Sequence, residues 1–129
     1  MPEPVKDAFA RQKFMETIGA RLARVEPGGV DIELPFSEAL GQQSGIVHAG
    51  AITAIADSAC GFAALTMWPD GSDVVSVEFK INLLAPARGE KFIAKGRVLR
   101  AGKTLTVCRA DVFAGEVLVA TMLGTMMRR

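Results

Sequence analysis

The residues whose types and spacing could do chemistry sit in one stretch, Gly45 to Met67, which reads GIVHAGAITAIADSACGFAALTM. It holds the only histidine, His48, and, nine positions on, a lone carboxylate, Asp57, in the middle of an apolar run. A carboxylate in such a run is costly unless something pairs with it or uses it. Thr53, Ala54, Cys60 and Gly61 fill the positions three and four residues away, so no base on the same helix face can pair with it. Asp57 is therefore either held by groups from elsewhere in the fold or kept for chemistry. Just ahead of it, His48-Ala49-Gly50-Ala51 offers small side chains at what reads as a helix start. Such an end carries free N–H groups that stabilise negative charge and can receive a developing oxyanion. A carboxylate in an apolar helix could activate water or attack a carbonyl directly. The combination suits acyl transfer to water.

The spacing sets a limit on how these parts cooperate. If the helix begins at Ala49, Asp57 lies ~12 Å along the axis from the first helical amide, at a rise of ~1.5 Å per residue. One chain cannot bring both to one small reacting group. Either they serve different purposes, or two chains meet so that Asp57 of one faces the helix start of the other. The plainer readings are a structural carboxylate bonded to backbone amides and a histidine that orders the loop before the helix. Cys60 is expected to pack in the core.

The surrounding pattern supplies the elements that would position these residues. Val5 to Thr17 reads as a short helix with Val5, Ala8, Phe9, Gln12 and Met15 near one face, and Pro4 suits its first turn. Ile18 to Pro35 reads as strand, turn, strand around Pro27-Gly28-Gly29. Phe36 to Val47 reads as a loop. The alanine-rich segment that follows, short of charge and β-branching, reads as a helix buried on nearly all sides, ending near Trp68-Pro69-Asp70-Gly71-Ser72. Val74 to Leu84, Lys91 to Arg100, Thr104 to Phe113 and Val117 to Met126 then read as a four-strand antiparallel meander, the first two joined by a turn at Pro86-Ala87-Arg88-Gly89. In the first of these strands plain alternation puts Ser76 with Glu78 and Lys80, opposite Val75 and Val77. The expected architecture is α+β, a curved antiparallel sheet wrapped around one long helix, in one domain over residues 1–129.

Composition narrows the function classes. Half of the 129 residues are hydrophobic, enough for a core, and a net charge of +1 makes no case for a nucleic-acid partner. Two cysteines, both in apolar runs, and a charged start without an apolar leader fit reduced thiols and a cytoplasmic location. Ala49 to Trp68 is nearly long enough to cross a bilayer, but Asp57 at its centre and the strands after it argue against a membrane role. No metal-ligand spacing, phosphate loop or dinucleotide fingerprint appears, so no cofactor or metal is expected. Lys80 to Lys103 carries seven basic residues, Lys80 and Arg88 among them, against one acid, Glu90. That is a solvated sheet face or an attraction for a phosphorylated ligand such as coenzyme A.

GIVHAGAITAIADSACGFAA followed by VVSVEFKINLLAPAR resembles the hotdog-fold thioesterases of the phenylacetate-degradation (PaaI) type, from about Ile18 to Met126. The resemblance implies an acyl-coenzyme A thioesterase that needs no cofactor. It also implies sheets joined edge to edge in a homodimer, active sites at the dimer interface, and dimers that pair into a homotetramer. It places the catalytic carboxylate, as general base or nucleophile, on Asp57. The histidine that orients loop and substrate falls on His48, and the oxyanion amide on Ala49, where the family usually has glycine. The position of the family's asparagine falls on Gln42, and its strand hydroxyl on Ser76. Gly50, Lys80 and Arg88 are the expected substrate contacts. The alternatives on this fold are a hydratase or dehydratase of acyl thioesters, which needs an acid–base pair, and a domain that binds an acyl thioester without turning it over.

Overall fold

The apolar run folds as one helix, α3 (Ala49–Leu65), and the other elements are arranged around it. The computed structural model describes residues 3–129; residues 1 and 2, at the start of the expected domain, lie outside the described residues. Ahead of α3 come α1 (Glu3–Arg11), α2 (Lys13–Ile18), β1 (Arg21–Glu26), β2 (Gly29–Pro35) and a short 3-10 turn at Glu38–Leu40. After it come β3 (Val74–Leu83), β4 (Lys91–Arg100), β5 (Leu105–Ala114) and β6 (Val117–Arg128). The six strands form one antiparallel sheet in the order β1-β2-β4-β5-β6-β3, and α3 lies against five of them. This is the hotdog fold, a curved sheet around a central helix.

Small residues on both partners let α3 sit deep in the sheet. Ala56, Ala59, Cys60 and Ala63 are fully buried on the helix, and Ala94, Cys108 and Ala110 on the strands beneath it. Gly96 of β4 sits where no side chain fits. A Cβ there would lie 2.4 Å from the carbonyl oxygen of Ala59 and 2.5 Å from its carbonyl carbon. The helix backbone thus packs directly on the strand backbone, which close-packed interiors allow only when a Cβ is missing.

His48 starts the helix. Its backbone is extended (φ −59°, ψ 138°) and its Nδ1 accepts the N–H of Gly50 at 2.7 Å. The Ala51 and Ile52 amides reach the His48 carbonyl at 3.0 and 3.4 Å. The far end is pinned too. Thr66 Oγ1 donates to Ala63 O and accepts the N–H of Gly28, and the Trp68 indole donates to Gly102 O. The helix closes at Leu65, ahead of the expected turn at Trp68.

Three expectations are corrected. The four-strand meander is a three-strand one: β4, β5 and β6 follow each other, while β3 pairs with β6 at the far edge. Pro86-Ala87-Arg88-Gly89 is therefore not a hairpin turn. Residues 84–90 cross the end of the sheet, held by Val119 O, which accepts from Leu84 and Ala85, and by Ala87 O, which accepts from Val47. The N-terminal helix is two helices, because Gln12 leaves helical geometry (φ −82°, ψ 91°). Finally, α3 is not enclosed on every side: Gly50, Thr53, Ala54, Asp57 and Ser58, at helical spacing, form an open or half-open stripe. The expected hairpin stands, with Pro27 and Gly28 (φ +76°) turning β1 into β2 as a proline-glycine pair does.

Two substitutions test this packing. Gly96→Ala forces α3 off the sheet and lowers the unfolding free energy by about 1–3 kcal/mol; unchanged stability in urea titration would show that the contact is not tight. His48→Ala removes the cap and costs about 1 kcal/mol, whereas His48→Asn, which can cap, costs less; equal losses for the two would contradict the capping role.

Candidate active site

Asp57 stands on the open stripe of α3, half-buried, and its partner comes from β3. Ser76 Oγ donates to Asp57 Oδ1 at 2.6 Å, the length of a charge-assisted O–H···O⁻ bond. Among the described residues no basic group lies within ion-pair distance of this carboxylate. A hydroxyl therefore holds it.

A bulge brings Ser76 there. Ser76 pairs with Met126 and Glu78 with Thr125, so one extra residue, Val77, lies between successive partners. Before it the even-numbered side chains Val74 and Ser76 face α3. After it the odd-numbered Ile81 packs on the core and Lys80 turns away. A bulge re-aims a strand in this way, and plain alternation cannot reveal it. Ser76 Oγ also lies 3.3 Å from the sulfur of Met126.

The second group of expected residues assembles about two turns away. The strand-like loop 41–47 closes on itself through the Gly41–Val47 bridge and the bond from Gln42 N to Ile46 O. Gly45 takes φ +80°, a conformation that glycine adopts at little cost. Gln42 Oε1 accepts the N–H of Ser44, which leaves its amide NH₂ as the free end. Gln42, His48 and Ala49 line one side of an open cleft of about 530 Å³, and the crossing segment Leu83–Ala87 forms the other. The Ala51 and Ile52 amides bond the His48 carbonyl and that of Gly50 bonds the His48 ring; among the described residues the Ala49 N–H has no partner. His48, Ala49 and Gly50 are all exposed.

The chain therefore brings Gln42, His48 and Ala49 together, and Asp57 and Ser76 together, but not the two groups. Asp57 and Ser76 line a separate pocket of about 160 Å³, and the two cavities share no lining residue. Lys80 and Arg88 reach neither. Lys80 belongs to the row Arg97–Arg109–Leu123–Lys80 on the sheet face away from α3, and Arg88 is exposed on the crossing segment. Cys60, one turn beyond Asp57, is fully buried with Cys108 beside it; both are free thiols, and the bond with Cys108 together with burial pushes the Cys60 thiol up. Among the described residues no cluster could hold a metal ion, and no helix is long and apolar enough to cross a membrane.

Sequence reasoning missed part of the pocket wall. Gln12 and Ser58 line it together with Gly61 and Val74, and Ser58 Oγ donates to Gln12 Oε1 at 2.9 Å. The signal was present: Gln12 is the polar residue in an otherwise apolar stripe.

Comparison with known proteins identifies the family and the fold. The thioesterase superfamily model matches residues 44–121, from the loop before α3 into β6. A protein of Saccharolobus solfataricus that carries an esterase designation is 32% identical over 115 residues, covering 86% of this chain and 81% of its own. The crystal structure of a thioesterase family protein from Silicibacter pomeroyi superposes with a TM-score of 0.95 at 44% identity, covering 98% of this chain and 96% of that one. The Escherichia coli PaaI protein of the phenylacetic acid degradation operon, at 17% identity, shares the fold with a TM-score of 0.90 over 98% of this chain and 91% of its own. The chain thus belongs to the thioesterase superfamily: it is a thioester hydrolase on the hotdog fold.

Proposed function

We propose that the protein hydrolyses acyl-coenzyme A thioesters to the free acid and coenzyme A, in active sites each built from two copies of the chain. The observation that carries this reading is the split constellation: the carboxylate with its serine, and the helix start with its unpartnered amide, occupy two separate cavities of one protomer. Two surfaces support a second copy. The stripe Gly50–Thr53–Ala54–Asp57–Ser58 is lined with small side chains, as a close helix neighbour requires, and β3 is a ten-residue edge strand with Val77 and Phe79 exposed. A two-fold axis passing near Thr53 sets the two stripes antiparallel, and Ala49 of one copy then faces Asp57 of the other. The partner also covers the exposed helix start, which strengthens its field by excluding water. Pairing of two such dimers into a tetramer follows from the family resemblance.

In this site the thioester carbonyl oxygen accepts the Ala49 N–H, and the first-turn dipole stabilises the charge that grows on it. Asp57, oriented by the Ser76 hydroxyl, takes a proton from water as the water oxygen bonds to the carbonyl carbon. The tetrahedral intermediate collapses, the C–S bond breaks, and the leaving thiolate takes the proton back from Asp57 to give the coenzyme A thiol and restore the carboxylate. His48 holds the helix start in shape through its Nδ1 rather than moving a proton. The free NH₂ of Gln42 donates to the substrate from the open cleft, and Gly50 gives the arm room to pass. The small pocket at Asp57 suits an acyl group, and the cleft of about 530 Å³ suits the pantetheine arm. The basic run that includes Lys80 and Arg88 attracts the phosphates at longer range.

Asp57→Asn should lower kcat for coenzyme A thioesters about 10²–10⁴-fold while the fold, read by circular dichroism, is kept; full hydrolysis by that variant ends the mechanism. Ser76→Ala should cost about tenfold or more, the worth of a bond to a charged group. Ala49→Pro removes the proposed amide at a first-turn position that tolerates proline, after a residue already in the extended geometry proline demands. It should fold and lose about 10²–10³ in kcat; a folded Ala49→Pro protein with unchanged kcat would remove Ala49 from the site.

A further inference from the structure

Gln12 breaks the N-terminal helical stretch, and its side chain does not cap α2. It reaches α3 instead, where Oε1 accepts from Ser58, the residue after Asp57. With that oxygen engaged, the Gln12 amide still has two N–H donors, and among the described residues nothing accepts from them. Gln12 is half-buried and lines the pocket that holds Asp57. These donors are open to the pocket, where an acceptor on a ligand can take the place of water.

Asp57, Ser58 and Ser76 complete the polar lining of the pocket, and the remaining wall is apolar. Phe62, itself packed against Phe9 at a centroid distance of 5.7 Å, and Val74 line it, along with Gly61. At about 160 Å³ it is too small for coenzyme A; a cavity of about 150 Å³ takes one benzene-sized group. The part of a thioester that enters is the acyl group, with its carbonyl end at Asp57.

We propose that Gln12 determines acyl specificity: its free amide donates to an oxygen on the acyl group, so that short acyl groups carrying a hydroxyl are preferred over their unsubstituted counterparts. This inference rests on the thioesterase reading above. It makes the break between α1 and α2 a device for presenting one side chain to substrate.

The test compares kcat/KM for butyryl-, 3-hydroxybutyryl- and 4-hydroxybutyryl-coenzyme A. The wild type should prefer at least one hydroxylated member. In Gln12→Met, close in shape but without the donor, the hydroxyl-to-plain ratio should fall about five- to tenfold, the worth of one hydrogen bond. Gln12→Glu keeps an acceptor for Ser58 but replaces the donor with a carboxylate oxygen, and should lower the ratio at least as far. A purely structural role would slow all three thioesters together and leave the ratio alone. No hydroxyl preference in the wild type, or a ratio unmoved in both variants, overturns the inference. Calorimetric binding of the same three compounds to Asp57→Asn reads the preference without turnover. A wild type that hydrolyses none of them would count against the thioesterase reading, while the binding ratio would still decide the role of Gln12.

Discussion

A straight α-helix holds residues eight positions apart at a separation of ~12 Å, and no side chain as short as aspartate bridges it. The arrangement of this protein turns on that distance between Ala49 and Asp57. Each end supplies half of the proposed site: an amide without a partner among the described residues at the helix start, and a carboxylate bonded to a serine two turns later. The open stripe that joins them along α3 consists of residues small enough for a second helix to lie against. In the proposed dimer, the separation that keeps one chain from completing the site is the one that an antiparallel pair of chains removes.

The distance has to stay fixed for the halves to meet, and the packing of α3 fixes it. Gly96 brings the strand backbone against that of Ala59, so the helix is held by main chain as well as by side chains. His48 caps one end, and Thr66 with Trp68 ties the other to the β1–β2 turn and to Gly102. The exposed face is left to small and polar residues, while apolar contacts are made by the face that carries Ile55, Ala59 and Phe62. The proposed general base, Asp57, sits on this element and moves only with the core.

Much of this was legible in the residues. The small-residue helix, Asp57 within it, the Pro27-Gly28 hairpin and the β4–β5–β6 meander are each set by local pattern or by a turn between sequence neighbours. What could not be read is what depends on distant partners. Alternation shows that Val74–Leu83 is a strand but not that it pairs with β6 rather than β4, because Pro86-Ala87-Arg88-Gly89 resembles a hairpin turn whether the chain reverses or crosses the sheet. The bulge that aims Ser76 at Asp57 is a property of pairing with Met126 and Thr125, not of the strand alone. Gln12 fits a helical stripe, and its bond with the hydroxyl of Ser58, far along the chain, is a tertiary contact that local pattern does not show.

The central claim, that each site takes its acid from one copy and its amide from another, is tested most directly by mixing two inactive variants. Asp57→Ala and Ala49→Pro chains, unfolded together and refolded at equal concentration, form mixed dimers with one intact site. Thioester hydrolysis should return to about a quarter of the wild-type rate, since half of the dimers are mixed and each has one working site of two. A mixture no more active than its components, with mixed dimers shown by mass spectrometry to have formed, would contradict the shared site.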